Sequence, residues 1–466
     1  MDLPATLRGI DFRGCEISGA SPAALESFER ALAAFQCWRI GAEVPLAAAL
    51  QDSPAFVMAH VLQAWQCLAT RDPASVRSAR PILDRASRLP ANARERLHLA
   101  AIAAVLADDY ERAKTLLGEA LLREPRDALA LQIAHGFDYL TGDIVRLGDR
   151  AARVLPAWSS NVPGYHAVLA MHAFGLGESG DYAGAERFAR EALALDPLDA
   201  RAHHALAHVF EMTQRFDEGV RWMSAHVECW AADTVVATHC WWHLALFHLA
   251  LGHSGEALRL YDTRVRPHRS DQLGDMIDAS ALLWRIDLAG GDPGGRWREL
   301  ASAWSPRIGD GFCTFNDLHA MLAFVGAHDW DLARRLEHEL AERQALRTRH
   351  GETTRRIGLP AARALIAFGH GDCVRAVGLL ASLFAEVGRI GGSHAQRDVL
   401  HLTLLHAVEH FRRHAAPGPR EYAVYLERRK VASKVGPTGA ATRMQVAALK
   451  NRLADSDSSV IARALA

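Results

Sequence analysis

Residues 182–216 read YAGAERFAREALALDPLDARAHHALAHVFEMTQRF. Apolar residues recur there at the three- and four-residue spacing of a helix, starting at Tyr182. The small residues Ala185 and Ala192 let two antiparallel helices approach closely, and Pro197 cannot continue a helix. The segment therefore predicts one helix that ends before Pro197 and a second helix that follows it.

Short turn signals recur along the chain at intervals of roughly 34 to 39 residues, which brackets the period of about 34 residues that tetratricopeptide repeats have. They include Gly142-Asp143, Gly180-Asp181, Gly291-Asp292 and Gly371-Asp372. The sequence between them is rich in Ala and Leu at helical spacing, and it shows no convincing strand pattern of alternating apolar and polar residues. We therefore expect an all-α protein, an α-solenoid of tetratricopeptide-like helix pairs that can close around a central pocket.

The repeat pattern divides the chain into three predicted regions. Residues 1–105 form an atypical N-terminal helical cap, since terminal repeats need a polar outer face. Residues 106–415 form the helical repeat array with a histidine-rich pocket, and residues 416–466 form a C-terminal helix and frayed tail. Within the array, residues 347–359 are rich in Arg, Thr and Gly and precede Pro360. This segment is predicted to be a loop.

Composition narrows the class of protein. The formal net charge of -1 over 466 residues lacks the basic footprint of a nucleic-acid binder. No apolar run reaches the length of a membrane span and no secretion signal is visible, so we expect no membrane partner and a cytoplasmic location. The seven cysteines, without a C-x-x-C, read as reduced thiols and not as a disulfide framework or zinc knuckle. Histidine is unusually frequent, at 24 residues.

Two histidine pairs at helical spacing stand out. His204, His208 and Glu211 form H-x₃-H-x₂-E, and His239 and His243 form a second H-x₃-H about one repeat later. Residues three and four apart lie on one helix face, and the repeat pattern places both sets on neighbouring first helices, whose axes are roughly 8 to 10 Å apart. The five side chains are therefore predicted to converge.

Such a convergence favours a metal site. Neutral imidazole is the commonest metal ligand, and Glu211 adds a carboxylate three residues after His208. A mixed nitrogen and oxygen ligand set suits zinc or non-haem iron better than magnesium, so a divalent metal of this kind is the expected cofactor. The alternatives are a metal-free polar pocket, in which the histidines bond to one another or to water, and incidental placement.

A third polar group follows two glycines near the end of the array. His394, Arg397 and Asp398 begin a predicted helix there, where backbone N–H groups and a guanidinium can hold an anion. The alternative is an ordinary helix start with an internal pair between Arg397 and Asp398. We predict that this group folds back onto the histidine pocket.

Three further candidates lie near another helix start. Asn316, Asp317 and His319 are assigned, with His394, to the lining of the ligand pocket. The alternative is that the Asn and Asp only cap the helix, as these residues commonly do.

Several segments together resemble the tetratricopeptide repeat protein 38 family, over roughly residues 160 to 415. They include HALAHVFEM (204–212), HCWWHLALFHLALG (239–252), FNDLHAMLAFVGAHD (315–329) and GGSHAQRDV (391–399). The resemblance implies an irregular tetratricopeptide-like solenoid in the cytosol, without a settled reaction. The positions that match the family's polar signatures are His204, His208, Glu211, His239, His243, Asn316, Asp317, His319, His394, Arg397 and Asp398.

Two hypotheses for function follow. The first is a metal-dependent enzyme acting on a small molecule, in which Glu211 or Asp398 moves protons and Arg397 holds an anionic substrate. The second is an interaction scaffold that binds a protein or peptide partner in its groove, the ordinary use of this architecture. Peptide-binding solenoids usually offer Lys, Arg and Asn as a carboxylate clamp, whereas this groove offers His, Glu and Asp. The sequence therefore favours the enzyme.

Overall fold

The computed structural model describes residues 8–70 and 72–415, and the predicted C-terminal helix and tail at 416–466 lie outside them. Helices that pack in neighbouring pairs make up most of the described chain, which confirms the predicted all-α class. None of the helices within these two ranges has the length and apolar character needed to cross a membrane. The α-helices are α1 (Pro22–Gln36), α2 (Glu43–Asp52), α3 (Val57–Ala69), α4 (Pro73–Ala86), α5 (Ala93–Leu106), α6 (Tyr110–Arg123), α7 (Ala128–Thr141), α8 (Ile144–Val154), α9 (Tyr165–Ser179), α10 (Tyr182–Leu195), α11 (Ala200–Met212), α12 (Phe216–Ala225), α13 (Val227–Trp230), α14 (Ala237–Ala250), α15 (Ser254–Leu260), α16 (Leu273–Leu288), α17 (Arg296–Trp304), α18 (Thr314–Gly326), α19 (Trp330–Arg343), α20 (Arg349–Thr353), α21 (Leu359–Gly369), α22 (Cys373–Ala381) and α23 (His394–Ala415).

The recurring turn signals have a common local structure. At two of them, Gly142 and Gly371 adopt left-handed backbone angles, with φ of 66° and 77°, which glycine reaches without a steric penalty. The aspartate that follows, Asp143 or Asp372, then accepts a hydrogen bond from the backbone N–H three residues later, at 3.2 Å and 3.1 Å. Each of these two turns therefore closes one helix and caps the next.

A short hairpin precedes the first helix, where no strand was predicted. Strand β1 (Arg8–Ile10) pairs antiparallel with β2 (Glu16–Ser18), so that Gly9 faces Ile17. Three-residue strands are too short to show an alternating pattern of apolar and polar residues, which explains why neither strand was predicted.

The predicted loop at residues 347–359 is wrong, because this segment is helical. Thr348 caps α20 by accepting a hydrogen bond from the Gly351 N–H at 3.1 Å. A π-helix (Thr354–Gly358) then leads directly into α21. Pro360 lies in the first turn of α21, and its ring nitrogen cannot donate a hydrogen bond to the helical residues before it.

Residue contacts divide the chain into two compact units. Within the described residues, the N-terminal unit comprises residues 8–177, Ala183–Leu206 and His226–Ala237, and the C-terminal unit comprises Glu178–Tyr182, Ala207–Ala225 and residues 238–415.

A buried polar network lies inside the N-terminal unit and joins α5 to the start of α7. Arg94 donates from Nε to the Asp127 carboxylate at 2.7 Å, and its Nη1 lies 3.3 Å from Asp11. His98 donates from Nε2 to Asp127 at 2.9 Å, because its Nδ1 accepts a hydrogen bond from the Trp65 indole at 3.2 Å. Asp127 is thus the common partner of a buried guanidinium and a buried imidazole.

Inside the C-terminal unit, α23 packs against α16, although more than a hundred residues separate them. The Trp284 indole donates to the Thr403 hydroxyl at 2.9 Å, and Arg285 donates to the carbonyl of Ala395 at 2.6 Å. A plain open solenoid lets each repeat touch only its neighbours. The return of α23 to α16 therefore brings the end of the array to the middle of the unit.

Candidate metal centre

Three of the predicted histidines meet inside the C-terminal unit. His208 comes from α11, and His239 and His243 come from one face of α14. The ring centroid of His243 lies 4.5 Å from that of His208 and 4.8 Å from that of His239. One ligand nitrogen from each of the three lies within 4.8 Å of the others. His204, one turn earlier on α11, is also buried and belongs to the N-terminal unit.

Two carboxylates fix the orientation of the α14 histidines. Nδ1 of His239 lies 2.9 Å from the carboxylate of Asp278 on α16, and Nδ1 of His243 lies 3.0 Å from that of Glu211 on α11. Because a carboxylate only accepts, each Nδ1 carries the hydrogen and each Nε2 keeps its lone pair. Metal-ligating histidines usually have this kind of partner.

Burial keeps the rings of His208 and His243 uncharged. It lowers the pKa of His208 to about 3, and the neighbouring His243 lowers it further. The pKa of His243 lies well below its ordinary value because of burial first and then the nearby charges of His239 and Arg285. Both rings are therefore neutral at pH 7, as metal binding requires.

A third carboxylate, Glu178 at the end of α9, joins the start of α23 to the cluster. It accepts hydrogen bonds from the His394 ring at 2.8 Å and from the His394 backbone N–H at 3.1 Å. It also lies 3.7 Å from the Arg397 guanidinium and 3.9 Å from Nδ1 of His208. Burial alone would raise the pKa of Glu178, but His394 and Arg397 outweigh it and lower the pKa to about 2. The predicted anion position at this helix start is thus taken by the protein's own carboxylate.

The glycines before α23 allow this approach. Gly391 and Gly392 both have left-handed angles, with φ of 77° and 82°. A Cβ on Gly392 would lie 2.5 Å from the ring of Phe315. Arg397 is buried and donates to the Gly392 carbonyl, whereas Asp398 is half-buried. The structure therefore brings His394 and Arg397 to Glu178, which also lies near His208.

The three candidates on α18 point to two different places. Asn316 and Asp317 line a small cavity beside Trp304. His319 lines a separate cavity together with Arg397, and its Nδ1 donates to the Phe315 carbonyl at 2.7 Å. Of these three, only His319 lies on the side of α18 that faces the start of α23.

Asp317 is a buried carboxyl with distant partners. Arg343 and His350 both lie 3.8 Å from its oxygens, beyond hydrogen-bond distance. Burial raises its pKa to about 7, and Arg343 lowers it only in part. Burial also lowers the pKa of His350 to about 4. At neutral pH this region therefore holds a carboxyl that is partly protonated.

Replacing Asp317 with asparagine should remove a component of the pH dependence of stability. The pKa is raised on folding, so this component is present below about pH 4 and is lost as the pH rises through 7. The free energy of unfolding of the wild type should fall, relative to that of Asp317→Asn, by at most about 1.4 kcal/mol per pH unit over this range. Urea unfolding at pH 5, 6, 7 and 8 measures the difference. Parallel profiles would contradict the prediction.

Sequence reasoning missed Glu178, Asp278 and Arg285. Asp278 lies on α16, among residues that are otherwise apolar, one repeat after His239. An acid on a buried helix one period from a histidine was an available signal for it. Glu178 offered none, because it lies beside a turn and its partners His394 and Arg397 are more than two hundred residues away.

The C-terminal unit thus brings together three imidazoles, two of which are oriented by carboxylates through Nδ1. Such an arrangement can bind a transition-metal ion. No protein-family model matches the chain.

Proposed function

We propose that this tetratricopeptide-like repeat protein is a metal-dependent enzyme that acts on a small molecule. Zinc or non-haem iron would be held by His208, His239 and His243, which leaves the fourth position of the metal for a substrate. The observation that carries the proposal is the pair of Nδ1 to carboxylate contacts on α14, since these contacts leave Nε2 of both rings able to bind a metal.

The spacing of the rings supports a shared ion. Two nitrogens that each lie about 2.1 Å from one zinc ion are at most about 4.2 Å apart. The ligand nitrogens of His208, His239 and His243 lie within 4.8 Å of one another. In a tetrahedral zinc site the nitrogens are about 3.4 Å apart, so the rings would approach one another by up to about 1.4 Å on binding.

The ligand chemistry favours zinc or iron over magnesium or calcium. Imidazole nitrogens suit the former, whereas the latter prefer oxygen. Glu211 and Asp278 are each engaged by a histidine Nδ1, so both act as orienting acids around the ligands. Their negative charges also offset that of a divalent cation.

The remaining polar residues have distinct roles in this proposal. The bound metal would act as a Lewis acid on a small substrate. The His239 side chain is 17% exposed whereas that of His243 is fully buried, so a substrate would approach past His239. Arg397 is held by Glu178, which supports a role in positioning His208 through Glu178 more than in binding substrate directly.

Metal analysis of the purified protein tests the first half of the proposal. Elemental analysis by mass spectrometry should find at least one equivalent of zinc or iron per chain, and this equivalent should be lost on dialysis against a chelator. Protein that neither carries nor takes up either metal would contradict it.

Cobalt substitution tests whether the metal can bind a substrate. With Co(II) in the site, azide should change the visible spectrum if a coordination position is open, as in catalytic zinc sites. The part of this change that comes from the histidine cluster should be absent in His243→Ala. A Co(II) spectrum that azide leaves unchanged would indicate a closed structural site and defeat the enzyme half of the proposal.

A further inference from the structure

A second group of metal-binding residue types lies inside the N-terminal unit, away from the histidine cluster in sequence. Cys37 follows the end of α1, His166 lies in the first turn of α9, and Asp196 follows the end of α10. One ligand atom from each lies within 4.8 Å of the other two. The helix α1 and the consecutive helices α9 and α10 thus bring a thiol, an imidazole and a carboxyl together.

A second aspartate orients the imidazole of this group. Nδ1 of His166 lies 2.8 Å from the Asp199 carboxylate, which is fully buried. The other Asp199 oxygen accepts a hydrogen bond from the backbone N–H of Arg201 at 2.9 Å, so the carboxylate is fixed in place. Nδ1 of His166 therefore donates to Asp199, and Nε2 lies on the opposite side of the ring.

The opposite side of the ring faces Asp196. Nε2 of His166 lies 3.7 Å from Oδ2 of Asp196, which is too long for a hydrogen bond. Two ligand atoms that share one zinc ion are up to about 4.2 Å apart, so this distance fits a shared ion. The other oxygen of Asp196 accepts from the Leu198 N–H at 2.9 Å, which holds Oδ2 towards His166.

The thiol decides which metal would fit. Cys37 is 8% exposed, and burial, with Asp199 and Asp196 next, raises its pKa, so the free protein holds it as a thiol. A soft sulfur ligand beside a nitrogen and an oxygen suits zinc and not magnesium or calcium. Asp199 and Asp196 outweigh burial and raise the pKa of His166, so protons compete with a metal for this ring.

We propose that Cys37, His166 and Asp196 form a zinc site that is separate from the histidine cluster. Asp199 is the outer carboxylate that orients His166. On binding, Cys37 loses its thiol proton to solvent and its sulfur forms a bond to zinc, and any proton on Nε2 of His166 is released likewise. The side chains of His166 and Asp196 are 20% and 34% exposed, so the fourth position is open to water. The ion would tie the end of α1 to α9 and α10.

Cobalt titration of the metal-free, full-length protein tests this site. Only a thiolate ligand gives a sulfur-to-cobalt charge-transfer band, and the histidine cluster contains no cysteine among its candidate ligands. We expect the band to saturate by two equivalents of cobalt per chain, because the histidine cluster takes up the other equivalent, and to vanish when excess zinc is added. Cys37→Ser should abolish it, whereas Cys67→Ser, a half-buried cysteine of the same unit, should leave it unchanged.

Two further variants keep the result decisive. Asp199→Asn should weaken cobalt binding by about 10- to 100-fold, the usual effect of removing an outer ligand partner. His243→Ala should leave the band unchanged, so that failure here is distinguishable from failure of the histidine cluster. A wild type without the band, or a band that persists in folded Cys37→Ser, would overturn the proposal. If Cys37→Ser does not fold, unchanged affinity in Asp199→Asn would overturn it instead.

Discussion

Replacing His243 with alanine is expected to abolish metal binding by the histidine cluster. Its ring lies between those of His208 and His239, at centroid distances of 4.5 Å and 4.8 Å, and it is fully buried. The substitution removes one ligand and leaves Glu211 without its imidazole partner. The affinity for zinc should fall by more than about 100-fold, since losing an outer partner alone costs 10- to 100-fold. Competition with a coloured chelator measures the loss.

The matched control is His203→Ala. His203 is adjacent to His204 on α11 and equally buried, but its Nε2 donates to the Pro197 carbonyl at 3.0 Å. It should keep the affinity of the wild type. The zinc affinity of Asp278→Asn should lie between those of His243→Ala and His203→Ala, because this substitution weakens only the orientation of His239. Equal losses in all three variants would indicate a general effect on folding and would contradict the assignment.

Replacing Asp127 with alanine is expected to destabilise the N-terminal unit by about 3 to 5 kcal/mol, the range for breaking one side of a buried ion pair. Asp127 is 1% exposed and holds both Arg94 and His98. Its removal would leave the buried Arg94 guanidinium with one carboxylate, that of the more distant Asp11, besides the Glu16 carbonyl. The His98 N–H would also lose its acceptor.

Asp109→Ala separates this effect from helix capping. Both aspartates cap a helix by accepting a backbone N–H at 3.0 Å, but Asp109 is exposed at the start of α6. Loss of a cap alone costs about 0.5 to 2 kcal/mol. Denaturant unfolding of both variants should therefore give a clearly larger loss for Asp127→Ala. Similar losses would show that the buried network adds little.

The parts of the fold that depend on local chemistry could be predicted from the sequence. The turns at Gly142-Asp143 and Gly371-Asp372 each depend on two adjacent residues, since the glycine closes one helix and the aspartate caps the next. The α14 histidines share a face because helical spacing alone requires it. The segment 347–359 misled the prediction, because its Arg, Thr and Gly content resembles a loop while Thr348 and Pro360 begin two helices.

The rest of the candidate site depends on contacts that spacing does not encode. Glu178 meets His394 across more than two hundred residues, and only the return of α23 to α16 makes that contact. Asp278 acts on His239 through the packing of α16 beside α14. A sequence period places helices in order, but it does not state which polar side chains end up paired inside the unit.

The pairing of acids and histidines has a consequence for how this chain can evolve. Glu211 on α11 serves His243 on α14, and Asp278 on α16 serves His239 on that same helix. Repeat proteins commonly tolerate the gain or loss of one unit, because each unit contacts only its neighbours. Here, inserting a helix pair between α11 and α14 would separate His243 from Glu211, and inserting one between α14 and α16 would separate His239 from Asp278. We therefore expect related chains that keep the cluster to have the same number of units in this interval, whatever the length of their ends.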